Sequence, residues 1–139
     1  MNRIFYIVSM ITITLAMGLL FLLFYWYFYP YRTIEFNQPL AKVEQTEVVR
    51  GDYLVYILDY CKYTDVEADI SRSFVDGLVY LTPDGIADQP KGCGVARIQI
   101  YIPKSMLVGT YQIKQTRHYE LNPIREETVI YYSEKFKVL

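Results

Sequence analysis

Residues 53–61 read YLVYILDYC, the longest run of strand-forming side chains in this sequence. Tyr, Val and Ile are enriched in β-strands, and alternate residues of an extended chain point to opposite sides. The even-numbered positions of this run carry Leu or Tyr, so we predict a central strand that buries them. The odd-numbered row, which ends in Cys61, then faces solvent.

A period of two recurs along the rest of the chain after Arg32. Residues 95–102 alternate between apolar and polar side chains, and Gly or Pro residues separate this run from its neighbours. Short runs that are divided by turns are typical of an all-β sandwich or barrel. The further predicted strands cover 34–36, 41–49, 67–74, 78–81, 109–121 and 128–136.

Two segments break this pattern. Pro39 interrupts the first run, and because proline cannot donate a hydrogen bond to a central ladder, we predict that this run lies at a sheet edge. Residues 83–94 are rich in Pro and Gly. Their composition predicts the longest irregular loop of the domain.

Residues 4–29 contain no charged side chain. The most apolar part, 4–24, would form a helix of about 31 Å at about 1.5 Å per residue, which matches a hydrocarbon core of ~30 Å. We therefore predict one transmembrane helix at 4–29, after a short tail at 1–3. A linker at 30–33 leads to the β-domain at 34–139.

Aromatic side chains cluster at the end of this helix, where Trp and Tyr are enriched at membrane–water interfaces. A cleaved signal peptide has a shorter apolar stretch followed by small residues. Here the stretch is long and ends in bulky rings, which favours an uncleaved signal anchor in contact with the lipid bilayer. The predicted interface belt comprises Tyr25, Trp26, Tyr27, Tyr29 and Tyr31.

Composition argues against several classes of function. Fourteen Lys and Arg residues and fifteen Asp and Glu residues are interspersed, so there is no basic stripe for nucleic acid. One histidine and two cysteines are too few for a four-ligand zinc site, and no Gly-rich phosphate loop is present. His118 lies on the polar row of its strand and is expected to be solvated. We predict no enzymatic activity, catalytic residue, metal or cofactor.

Gly109 and Tyr111 begin the penultimate run, shortly after Ile102-Pro103. Together with the number and order of the runs, they resemble the tyrosine corner of immunoglobulin-like domains. The resemblance implies an immunoglobulin-like antiparallel β-sandwich in which Tyr111 is buried and its hydroxyl bonds to backbone a few residues upstream. The Cys-Trp-Cys signature of antibody domains is absent, because Trp26 is the only tryptophan.

A second resemblance covers about three quarters of the chain. Residues 58–64, 92–94 and 119–125 are similar to small uncharacterised phage-encoded proteins that have one N-terminal membrane helix. This resemblance implies no known activity.

The immunoglobulin-like resemblance also implies a disulfide between Cys61 and Cys93. In such domains the second strand pairs with the E strand, so the end of one lies beside the start of the other. A stable disulfide requires an oxidising compartment, which would place the domain outside the cytoplasm and the N-terminus inside. Positive charges on the two sides of the helix nearly balance and do not decide the orientation. The alternative is two unrelated cysteines in a cytoplasmic domain.

These features favour a single-pass membrane-anchored immunoglobulin-like module. It would bind a protein or glycan, or serve as a structural part of an envelope or virion assembly. The alternative is a pilin-like filament subunit whose N-terminal helix packs in a fibre core. The Gly-Phe cleavage site and early glutamate of bacterial pilins are absent. The sequence leaves the partner and the oligomeric state open.

Overall fold

The structure is a computed structural model that describes residues 2–30, 32–76, 78–87 and 89–139. Within these ranges the chain forms one apolar helix followed by a mostly β domain with two sheets, as the sequence predicts. The elements are α1 (Asn2–Phe28), β1 (Ile34–Phe36), β2 (Lys42–Val43), β3 (Glu47–Val48), β4 (Tyr53–Lys62), β5 (Ala68–Asp76), β6 (Leu78–Leu81), β7 (Gly85–Ala87), β8 (Gly92–Tyr101), β9 (Gly109–Asn122), β10 (Arg125–Tyr132) and β11 (Phe136–Val138).

Helix α1 begins at Asn2, earlier than predicted, and ends at Phe28, one residue before the predicted end. Nothing in the first residues opposes helix formation, whereas Tyr29 precedes Pro30, and a residue before proline is disfavoured in the helical region. None of the side chains of α1 is buried. The helix is long and apolar enough to cross a membrane, although a signal sequence has the same properties.

The first sheet is built around β4. This strand pairs along its whole length with β8, and its other edge pairs with β1 and β2. The predicted central strand is therefore confirmed, and its even-numbered row from Leu54 to Tyr60 is buried. The prediction that the odd-numbered row faces solvent is partly wrong, because Val55 is also buried. Pro39 lies between β1 and β2, which pair only with β4 among the described residues, so this edge position also agrees with the prediction.

The second sheet is built around β9. One edge of β9 pairs with β5, and the other pairs with β10 and then with β11. The run predicted at 41–49 divides between the sheets, because β2 joins the first sheet while β3 pairs in parallel with β11. The single strand predicted at 128–136 is likewise divided, into β10 and β11.

The loop predicted at 83–94 is partly wrong. Residues Gly85–Ala87 form β7, which pairs with the stretch of β5 that β6 leaves free, and β8 already begins at Gly92. Backbone groups need hydrogen-bond partners, and the long edge of β5 offers them to a segment whose composition is that of a loop.

Buried apolar side chains form two clusters. The distal core lies toward the end of the domain remote from α1, and it contains residues from both sheets. The proximal core lies toward α1, and it is smaller. The distal core comprises Ala41, Val43, Val48, Leu54, Tyr56, Leu58, Phe74, Ile100, Ile102, Met106, Tyr111, Ile113, Tyr131, Phe136 and Val138. The proximal core comprises Ile34, Tyr60, Ala68, Ile70, Ala87 and Tyr119.

Candidate functional site at the membrane-proximal end

The end of α1 is held by the turn between β9 and β10. The side-chain amide of Asn122 donates a hydrogen bond to the carbonyl of Trp26 at 2.6 Å. The Arg125 guanidinium donates to the carbonyls of Pro30 at 2.6 Å and Tyr27 at 3.4 Å. The last carbonyls of a helix have no partner within the helix, and a cation there also complements the helix dipole. The turn therefore caps the helix and fixes the domain against it.

The predicted interface belt surrounds this junction. Tyr25, Tyr27 and Tyr29 are exposed, and Trp26 is half-buried. The rings of Tyr25 and Tyr29 stack with their centroids 5.2 Å apart. Tyr31 lies outside the described residues. The contact of these rings with lipid headgroups stays a prediction.

The linker after α1 is also bonded to the domain. Thr33 is buried, its hydroxyl donates a hydrogen bond to the Glu127 carboxylate, and its carbonyl accepts one from the Tyr63 amide. The Glu127 carboxylate also lies 3.6 Å from the Arg125 guanidinium. Residues of β10 thus contact both the helix end and the linker, which limits movement of the domain relative to α1.

A charged cluster lies beside the linker. The Glu35 carboxylate accepts hydrogen bonds from the Tyr63 hydroxyl, at 3.0 Å, and from the Arg32 guanidinium. Hydrogen bonds to the ionised form favour it, so first Tyr63 and then Arg32 lower the pKa of Glu35 below its ordinary value of 4.5. All three side chains are at least partly exposed.

The predicted disulfide between Cys61 and Cys93 is present. The two residues are direct partners in the β4–β8 ladder, and their Cα atoms are 3.9 Å apart. Glu35 of β1 pairs with Cys61 on the other edge of β4, so the bond lies close to the linker. It joins β4 to β8 at the proximal end of the first sheet.

A buried polar layer lies where the two cores meet, since some side chains pack against both cores. Because a guanidinium can only donate, the Gln115 amide presents its oxygen to Arg117, with 2.6 Å to Nε and 2.9 Å to Nη2. The Gln115 nitrogen then donates to the Tyr56 hydroxyl at 2.8 Å, which also accepts from Arg72 Nε at 3.0 Å. Arg117 Nη1 donates to Gln89 Oε1 at 2.8 Å. Burial raises the pKa of the Tyr56 hydroxyl, and the nearby Arg72 opposes this shift.

Sequence reasoning missed this layer, although a signal for it was available. Placing His118 on the polar row of β9 puts Gln115 and Arg117 on the core row, and both are about 2% exposed or less. The alternation of side chains along β9 is therefore enough to predict that Arg117 is buried. A buried charge is costly unless it is bonded, and the guanidinium also lies 5.5 Å from the centroid of the Phe36 ring.

Gly109 and Tyr111 lie at the distal end of β9. Tyr111 is buried, and its hydroxyl donates a hydrogen bond to the carbonyl of Leu107, four residues upstream, at 2.9 Å. A Cβ atom at Gly109 would lie 3.4 Å from the Tyr111 ring, so this ring packs over the backbone at Gly109. The role of this pair as a tyrosine corner stays a prediction, which Tyr111→Phe tests below.

His118 is half-buried on the outer face of the second sheet. Its Nδ1 lies 3.1 Å from the Thr128 hydroxyl, and its Nε2 lies 3.7 Å from the Glu126 carboxylate. Among the described residues, His118, Glu120 and Glu126 could bring ligand atoms within 4.8 Å of one another. The contacts with Thr128 and Glu126 account for this arrangement, and the expected absence of a metal stays a prediction.

Comparisons with known proteins do not assign the chain to a family. No family model matches the sequence, and no curated protein matches it. The resemblance to phage-encoded proteins therefore gains no support.

Similar solved structures include a Niemann-Pick type C2 protein from the Japanese carpenter ant, at 11% identity and a TM-score of 0.46, covering 78% of this chain and 100% of that one. They also include the CARDB domain of a Pyrococcus furiosus protein in complex with di-metal ions, at 16% identity and a TM-score of 0.39, covering 78% and 93%. The Pseudomonas fluorescens alkylpurine DNA glycosylase AlkC has 8% identity and a TM-score of 0.38, covering 76% and 30%. All three TM-scores are below 0.5, so these likenesses carry no argument about this chain.

Proposed function

We propose that this protein is a single-pass membrane protein whose C-terminal domain is a non-catalytic binding or structural module. The observation that carries the proposal is the junction at the end of α1. The side chains of Asn122 and Arg125 donate hydrogen bonds to backbone carbonyls of the helix end and the linker. A leader that is cleaved off would leave these side chains without those partners, which supports a helix that is retained as an anchor.

The strand pairings support an immunoglobulin-like sandwich for the domain. In such sandwiches the B strand pairs with E in one sheet, and C, F and G pair in the other. Here β4 pairs with β8, while β5, β9 and β10 are neighbours in that order. The distal core takes side chains from both sheets, as a sandwich requires.

The disulfide supports a location outside the cytoplasm, because structural disulfides persist in oxidising compartments. With one anchor helix, the short N-terminus would then be cytoplasmic.

A surface for a protein or glycan partner is offered by Tyr53 and Tyr101 on the outer face of the first sheet. They are 58% and 43% exposed, and their rings meet edge to face at 5.5 Å. Tyrosine suits recognition, because it buries a large area and keeps a hydroxyl for hydrogen bonding. We place this module in an envelope or virion assembly.

Two measurements on one bacterial expression strain test the proposal. Intact-mass analysis of the membrane-extracted protein should give the full-length mass, and a mass that lacks α1 would identify a cleaved leader instead. Protease added to right-side-out vesicles should digest the domain, whereas inside-out vesicles should protect it. The reverse pattern would place the domain in the cytoplasm.

A control and a competing outcome sharpen this test. A variant that lacks residues 1–32 should be soluble and should show the circular dichroism of a β-domain, because all eleven strands lie after this point. Electron microscopy of the full-length protein should show no fibres. Fibres with the β-domain at their surface would favour the pilin-like alternative.

A further inference from the structure

We propose that the turn between β9 and β10 is a second membrane-contacting element, with Ile124 entering the apolar boundary of the bilayer beside α1. A lipid acyl chain then fills the groove between this turn and the helix. This inference rests on the proposed function, because it requires α1 to span the membrane.

The groove has a volume of about 360 Å³, and its exposed lining is apolar. Ile124 forms one wall and is itself 49% exposed. The opposite wall consists of side chains from the last turns of α1, and these are Leu20, Leu23, Phe24, Tyr27 and Phe28.

The position of the groove along α1 sets its depth. Residues 4–24 form the apolar part of the helix, and at about 1.5 Å per residue their length matches the hydrocarbon core. Leu20 then lies about 6 Å inside the boundary, since it is four residues before Phe24. Ile124 lines the same groove as these residues. Ile124 also lines a second hollow with residues 27 and 28, so if α1 spans the bilayer, the turn lies at the boundary between headgroups and acyl chains.

The turn is held in this position by its own bonds. Asn122 and Arg125 flank Ile124, and both donate to backbone carbonyls at the end of α1 or in the linker. The Asn122 side-chain oxygen also accepts a hydrogen bond from the Ile124 amide at 3.2 Å. The polar groups of the two flanking residues thus face the helix backbone, while the Ile124 side chain lines the groove. This division suits an element at the boundary between headgroups and acyl chains.

A lipid chain is the occupant that the surroundings favour. The groove is continuous with the lateral surface of α1, on which no side chain is buried. In a bilayer that whole surface is covered by acyl chains, which are flexible enough to enter a groove of this size. A helix from a second copy of the chain is the competing occupant, and the experiment below separates the two.

Depth-dependent quenching tests the inference on the full chain. Both native cysteines are in the disulfide, so Ile124→Cys provides a single site for an environment-sensitive fluorophore. The labelled protein is reconstituted in phosphatidylcholine vesicles that contain lipids with a quencher high on the acyl chain. Two further labelled variants serve as references, Leu20→Cys within α1 and Val108→Cys. Val108 is 58% exposed and precedes the distal end of β9.

We expect quenching at position 124 to be several-fold stronger than at position 108 and no stronger than at position 20. Quenching at 20 without quenching at 124 would overturn the inference and leave the membrane anchor intact. The absence of quenching at both positions would overturn the proposed function. Quenching at 124 that rises as the protein is diluted with lipid would show that a second copy fills the groove, and would overturn the acyl chain as its occupant.

Discussion

The two ends of the β-domain are stabilised in different ways. Both cores draw on both sheets, but the distal core is large and contains bulky side chains such as Phe74 and Phe136. The proximal core is small, and it includes two alanines. Around it lie the disulfide, the capped helix end and the buried polar layer.

This difference indicates that different interactions dominate the stability of the two ends. Apolar burial alone can hold the distal end, because its stabilisation grows with the area removed from water. The proximal end has less area to bury, so covalent and polar bonds take a larger share. Hydrogen bonds are also directional, so they fix the orientation of the domain relative to α1 at the end where the two meet.

The largest expected effect is the loss of a side chain from the distal core. Phe74 is completely buried, and its ring lies 6.1 Å from that of Phe136. Phe74→Ala should lower the free energy of unfolding by roughly 3 to 5 kcal/mol, through lost burial and the cavity that remains. Urea unfolding in detergent, followed by circular dichroism, measures this. Val79→Ala is the control, since Val79 is 60% exposed and should change stability little. Equal effects for the two would contradict the importance of the distal core.

The next effect concerns the covalent bond of the proximal end. Replacing Cys61 and Cys93 together by alanine removes a cross-link between residues 32 apart in sequence. The chain-entropy estimate is a loss of about 3 to 4 kcal/mol. Hydrogen exchange should show faster opening of β4 and β8 near the linker than at their distal ends. Uniform acceleration along both strands would show that the two ends are not independent.

Two tyrosines provide a matched pair of smaller size. Tyr111→Phe removes the hydroxyl that donates to Leu107 and should cost about 1 to 3 kcal/mol, because a partly buried carbonyl loses its partner. Tyr119 lies in the proximal core, and among the described residues its buried hydroxyl has no partner. Tyr119→Phe should therefore be neutral or stabilising. Unfolding midpoints of the two variants decide this, and a larger loss for Tyr119→Phe would reverse the assignment of the two hydroxyls.

The smallest effect is a pKa shift at the exposed cluster beside the linker. Tyr63→Phe removes the main cause of the lowered pKa of Glu35, so this pKa should rise toward 4.5 while Arg32 still holds it below that value. Since the folded-state pKa is lowered, the contribution of Glu35 to stability is present above about pH 4.5 and is lost as the pH falls through the folded-state pKa. Carboxyl titration by NMR measures the shift, with Tyr53→Phe as the control. An unchanged pKa would mean that Tyr63 does not stabilise the carboxylate.

Much of the local structure could be predicted from the sequence. The continuous apolar run predicts α1, and alternation predicts β4 and its buried row, because these periods depend only on neighbouring residues. The break between the strands predicted at 109–121 and 128–136 contains Asn122-Pro123, a dipeptide typical of turns. The sequence does not predict that this turn caps α1, since Asn122 and Trp26 are 96 residues apart. Their approach depends on the packing of the whole second sheet.

The sequence by itself thus determined the helix, the longest strands and the buried row of β4. Only the tertiary structure decided how β2 and β3 divide between two sheets, why the segment of β7 becomes a strand, and where Arg117 finds its partners. Side-chain period is a local property of the backbone, whereas hydrogen-bond partners at a sheet edge or in a core come from distant segments. A residue pattern therefore predicts which side of a strand is buried, but the folded chain decides what that side meets.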